Sequence, residues 1–173
     1  MSAPLHDMDA RLDAARRRLA LRRHEMQKLQ GLARHGEALD GQLPLFSRRG
    51  FMARIAKRLK EAGRTGRYGL VGLQALDERT MRLACELINR ETRAADIAGR
   101  LGRLRIGILL DDCDLAGAQG VAARLRRRLG EAARAEGLVD GWMAPVCALA
   151  AVWGDDAGNL LERLEERLSR GPA

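Results

Sequence analysis

Four short apolar runs, at residues 68–73, 97–101, 104–110 and 146–152, are the feature that most restricts how this chain can fold. Each is strand-length rather than helix-length, and Gly or a turn bounds it. Helical patterns lie between and after them. Ser47 is placed to cap a helix with Phe51, Ile55 and Leu59 at four-residue intervals and Gly63 at its end. A helix over 78–91 sets Met81, Cys85 and Ile88 on one face, one over 114–134 turns Val121, Leu125 and Leu129 inward, and Leu160, Leu161, Leu164 and Leu168 stripe a last one. Gly102-Arg103 has hairpin spacing. The expectation is an α+β (or α/β) domain with a sheet of about four or five strands, covered by helices.

Residues 1–39 read as a separate unit. Residues 5–39 lack Pro, and Leu5, Leu12, Leu19, Met26 and Ala33 recur at strict seven-residue spacing. Met8, Ala15 and Leu29 fill most companion positions, while Arg22 and Gly36 weaken the seam. A parallel coiled coil is expected, pairing with a second copy or with another protein; the alternative is one amphipathic helix laid on its own domain. The segment Asp40-Gly41-Gln42-Leu43-Pro44 breaks the pattern, so residues 40–173 are expected to form the globular part.

Composition narrows the functional classes. The net charge is +8, and residues 41–70 alone hold eight basic residues against Glu61. An anionic partner would be sought there first, but only Phe46, Phe51 and Tyr68 are aromatic in that segment, so nucleic acid is not the expected partner. The longest apolar run, residues 142–153, contains Pro145 and is shorter than the roughly 20 residues that span a bilayer, so no membrane is expected. No basic and then apolar leader opens the chain, and a cytoplasmic location is expected. Cys85, Cys113 and Cys147 form no close pair and suggest neither zinc nor disulfides; they read as small core residues. All three His precede residue 36, and no Lys is followed by Ser or Thr, which excludes a P-loop. Arg124, Arg126, Arg127 and Arg128 read as the solvated face of a helix, with Glu131 one turn from Arg127.

Several local motifs occur in a fixed order. Asp40, Leu45, Arg48, Arg49 and Phe51 fit D-x-L-T-G-L-x-N-R-R-x-F, with Leu43-Pro44 in place of Thr-Gly and Ser47 in place of Asn. Arg93-x-x-Asp96 is followed without a gap by a strand ending Arg100-Leu101-Gly102, then Arg103-Leu104-Arg105-Ile106 and another apolar strand. Together, from Asp40 to Leu168, they resemble the GGDEF domain of bacterial diguanylate cyclases. The resemblance implies that Gly102 to Ile106 is the signature loop, that Gln74 stands where the family has a metal-binding Asp, and that Arg93 and Asp96 match the inhibitory site for cyclic di-GMP.

The departures set the expected function. Arg103 replaces a Gly where backbone must approach a nucleotide, Leu104 removes a carboxylate, and Arg105 reverses a charge; a metal site is not built from Leu and Arg. About a dozen nucleotide-contacting residues of the family are missing between residue 74 and the next helix. No metal, no resident cofactor and no enzymatic activity are expected. A guanidinium can fork onto phosphate or a guanine edge, and a carboxylate can accept from guanine N–H groups, so Arg93 and Asp96 are a candidate pair for cyclic di-GMP as regulatory ligand. Their bland alternative is structural, Arg93 capping helix carbonyls and Asp96 fixing the turn into Ile97. Two functions compete: an inactive GGDEF-like cyclic di-GMP receptor, and a ligand-independent scaffold that binds protein through the helix or through a sheet face left bare by the lost segment.

Overall fold

The computed structural model describes residues 39–63, 66–138 and 146–170. The heptad seam of Leu5, Leu12, Leu19 and Met26 lies outside the described residues. Four strands, β1 (Tyr68–Gln74), β2 (Ile97–Gly102), β3 (Arg105–Asp111) and β4 (Val146–Ala150), form one antiparallel sheet in the order β2-β3-β1-β4. Helices α1 (Arg48–Ala62), α2 (Glu78–Glu91), α3 (Leu115–Ala135) and α4 (Ala157–Arg170) complete the α+β fold.

Each helix begins where a short polar side chain accepts from a first-turn N–H. Ser47 accepts from Gly50 at 3.1 Å, Asp77 from Thr80 at 2.8 Å, Asp114 from Gly117 at 2.8 Å and Asp156 from Asn159 at 2.9 Å. Gly63 ends α1 with a φ of 55°.

Both faces of the sheet are covered. On one, Val71, Leu73, Ile106 and Ile108 pack against Met81, Ala84 and Ile88 of α2 and Leu125 and Leu129 of α3. On the other, Leu70, Ile97, Leu101 and Leu109 meet Phe51 and Ile55 of α1 and Leu160, Leu161 and Leu164 of α4. Double coverage explains why β1 reads as a continuous apolar run rather than an alternating one. It also corrects the expectation of a bare sheet face, since helices cover both sides.

A row of glycines makes the second face fit. Gly99, Gly107 and Gly72 stand side by side across β2, β3 and β1. A Cβ at Gly99 would lie 2.3 Å from the Phe51 Cβ, and one at Gly107 would lie 2.7 Å from its ring. The bare backbone is therefore the seat of Phe51.

Cys85 alone of the three cysteines is fully buried, and burial pushes its thiol up to about 12. Cys113 and Cys147 are only partly buried, which corrects their reading as core residues. Among the described residues no helix is long and apolar enough to cross a membrane.

Candidate functional site

β2 and β3 are joined by the turn Arg103-Leu104, with Gly102 paired to Arg105, one residue later than the Gly102-Arg103 hairpin expected. Arg100 organises this turn from the strand before it. Its guanidinium donates to Gly102 O at 3.1 Å, to Arg103 O at 2.9 Å and to the Asp40 carboxylate at 3.1 and 3.3 Å. The two side chains are 18% and 13% exposed. Burial pushes the Asp40 carboxyl up, but the N–H of Gln42, the Arg100 guanidinium and the N–H of Leu43 together hold it below its ordinary value of 3.8.

Arg105 lies in register with Gln74 at the end of β1. Its Nε donates to Gln74 Oε1 at 2.6 Å, and its Nη2 reaches Ser169 Oγ of α4 at 3.3 Å. Arg103 is 83% exposed and makes a long contact of 3.4 Å with Glu78. The backbone between β1 and α2 has its N–H groups held by the signature turn and by α2. Ala75 N–H donates to Leu104 O at 2.7 Å, and the N–H groups of Leu76 and Asp77 both donate to Thr80 Oγ1, at 3.0 and 2.9 Å. Asp77 is taken as the cap of α2, and the Thr80 N–H and hydroxyl lower its pKa.

On the opposite end of the sheet a cleft of about 410 Å³ opens beside Arg93 and Asp96. Asp96 accepts from the Arg93 N–H at 2.7 Å and from the Asp111 N–H at 3.2 Å, tying the exit of α2 to the end of β3. The Arg93 guanidinium is different. It is exposed, and among the described residues no hydrogen bond or ion pair holds it. Thr92 caps α2 instead, its hydroxyl donating to Ile88 O at 2.6 Å. The other two cleft arginines are held: Arg124 by Glu91 at 3.1 Å and Arg67 by Asp112 at 2.8 Å. Asp112 has a φ of 44°, in the left-handed region.

The fold has solved counterparts. The GGDEF domain of DgcB from Caulobacter crescentus, in complex with c-di-GMP, superposes with a TM-score of 0.65 at 15% identity, over 77% of this chain and 88% of that one. The diguanylate cyclase SiaD, in complex with its activator SiaC from Pseudomonas aeruginosa, gives 0.66 at 21% identity over 98% and 71%. The FimX GGDEF domain from Pseudomonas aeruginosa gives 0.61 at 12% identity over 78% and 93%. This chain has the fold of a GGDEF domain. No family model and no curated protein matches its sequence.

Catalytic metals, which the resemblance implies for active GGDEF domains, do not fit the residues present. The positions where the resemblance implies acidic residues hold Gln74, Leu104 and Arg105, and Arg105 donates to Gln74. A guanidinium is a cation with donors only, so it opposes a metal rather than ligating it. Among the described residues no group of three His, Cys, Asp or Glu side chains is arranged to hold one.

Arg93 and Asp96 do face one cleft, although Asp96 also performs the turn-fixing role. Arg127 and Arg128 do pair with Glu131 at the surface of α3, but Arg124 lines the cleft and Arg126 is partly buried, donating to Val146 O at 2.7 Å. Those two were not separable by sequence, because their partners lie 33 residues before and 20 residues after them. The run Asp111-Asp112-Cys113-Asp114 was the available signal for the cleft wall.

Proposed function

We propose that this chain is a catalytically inactive GGDEF-fold signalling module that binds cyclic di-GMP through Arg93 and Asp96 and associates through residues 1–39. The observation that carries the binding half is that no hydrogen bond or ion pair among the described residues holds the Arg93 guanidinium at the mouth of the cleft, beside Asp96. Leaving a guanidinium without a partner while its neighbours are ion-paired suits a group reserved for an anionic ligand. The DgcB domain of the same fold is described in complex with c-di-GMP, which supports the choice of ligand.

Inactivity is supported by the other end of the sheet. Phosphoryl transfer needs metal and positioned donors, whereas here Arg105 bonds Gln74 and three successive N–H groups already have acceptors within the protein. Association through the N-terminal segment is supported by its heptads. A DgcB structure comprising coiled coil and GGDEF domain also matches over 96% of this chain, at 16% identity and a TM-score of 0.64.

The scaffold reading has one observation in its favour: Glu91, Asp111, Asp112 and Asp114 line the same cleft and repel phosphate. Calorimetric titration of the full chain with cyclic di-GMP decides between them. Saturable heat is expected, weakened about 30-fold, or about 2 kcal/mol, in Arg93→Ala. No heat from folded protein supports the scaffold. The same preparation supplied with GTP and magnesium or manganese is expected to form no cyclic dinucleotide, and any turnover refutes inactivity.

A further inference from the structure

The two edges of the sheet are closed in different ways. Along β2, Phe46 lays its own backbone on the edge, donating to Ala98 O at 3.0 Å and accepting from the Arg100 N–H at 2.8 Å. Along β4, among the described residues, no strand pairs with the outer side. Cys147 and Leu149 face β1 in the ladder, so the carbonyls of Val146, Ala148 and Ala150 point outward. Arginine reaches each of them: Arg126 donates to Val146 O at 2.7 Å, Arg167 to Ala148 O at 2.6 Å and Arg163 to Ala150 O at 3.4 Å.

The arms come from both sides. Arg126 leaves α3 on one face of the sheet, and Arg163 and Arg167 leave α4 on the other. Residues four apart on a helix rise about 6 Å, close to the roughly 6.8 Å between alternate residues of a strand, so α4 spaces its two arginines to match alternate carbonyls.

We infer that Arg126, Arg163 and Arg167 close the β4 edge against strand addition by a second copy of this chain. Water would satisfy exposed carbonyls equally well, so the arginines add little to stability in this role. What they remove is the row of acceptors that an incoming strand needs, and tethered guanidinium groups do not leave as water does. The strand itself has no defence. Val146-Cys147-Ala148-Leu149-Ala150 carries no charge and no Pro, the composition that makes an edge prone to pairing.

Light scattering across a concentration series of the full chain tests this. The mass of Arg126→Ala/Arg167→Ala is expected to rise about twofold or more over that of the parent chain, because each opened edge accepts another copy. Adding Ala150→Pro, which removes an outward N–H and leaves the β1 ladder intact, is expected to return the mass to the parent value. A double variant with the parent circular dichroism and the parent mass at every concentration overturns the inference, as does a raised mass that Ala150→Pro leaves unchanged. If the double variant does not fold, Arg167→Ala alone is read by the same criteria.

Discussion

Replacing Phe51 by alanine is expected to lower the free energy of unfolding by about 3–5 kcal/mol, the range for removing a fully buried aromatic ring. The site cannot readily collapse, because its floor is the backbone of Gly99 and Gly107 rather than side chains able to move into the void. Urea unfolding followed by circular dichroism measures the loss, and a midpoint equal to that of the parent chain would sink the packing account. The pair Phe51 and Gly99 gives a sharper test. Gly99→Ala alone forces a methyl to within 2.3 Å of the Phe51 Cβ and 2.4 Å of its Cγ and is expected to destabilise, whereas in a Phe51→Gly background, which removes both atoms, the same methyl enters vacated space. The two changes together are thus expected to cost less than the sum of each alone.

Removing Arg100 is expected to cost about 2–3 kcal/mol, since the Asp40 carboxylate and two turn carbonyls lose one shared donor group. The pH dependence identifies the cause. The folded Asp40 has a pKa below its ordinary 3.8, so its contribution to stability is complete above that value and disappears as pH falls through the lowered one. Stability curves of the parent chain and Asp40→Asn are therefore expected to separate at neutral pH and converge in acid. Parallel curves over the whole acid range would show that Asp40 contributes nothing through its charge.

The apolar runs and the first helix's cap made most elements readable from the residues, because strand length, Gly63 and the Ser47 cap are local signals. The hairpin turn was displaced by one residue for a nonlocal reason: the Leu104 carbonyl accepts from Ala75, on a loop 29 residues earlier. Pairing order was not legible, since nothing within a strand records its neighbour. At the candidate site, replacement of carboxylates was visible residue by residue, but the Arg105 to Gln74 hydrogen bond was not. It depends on the β1 and β3 register. The charge excess of residues 41–70 also changes meaning in three dimensions: Arg48 binds Glu165, Arg54 lies over the Phe46 ring, Arg58 faces Asp111 and Arg67 holds Asp112. Much of that charge joins elements of the fold rather than facing a partner.

Thr80, 1% exposed, separates the course of the β1–α2 loop from the residue types that stand in the signature turn. Its single hydroxyl receives the N–H groups of Leu76 and Asp77, so the α2 end of the loop is held by bonds that no side chain of the signature turn makes. Reinstating carboxylates at positions 74, 104 and 105 would leave those bonds in place. The proposed inactivity thus rests on the loop backbone as well as on side chains, and restoring those three carboxylates alone is not expected to yield turnover.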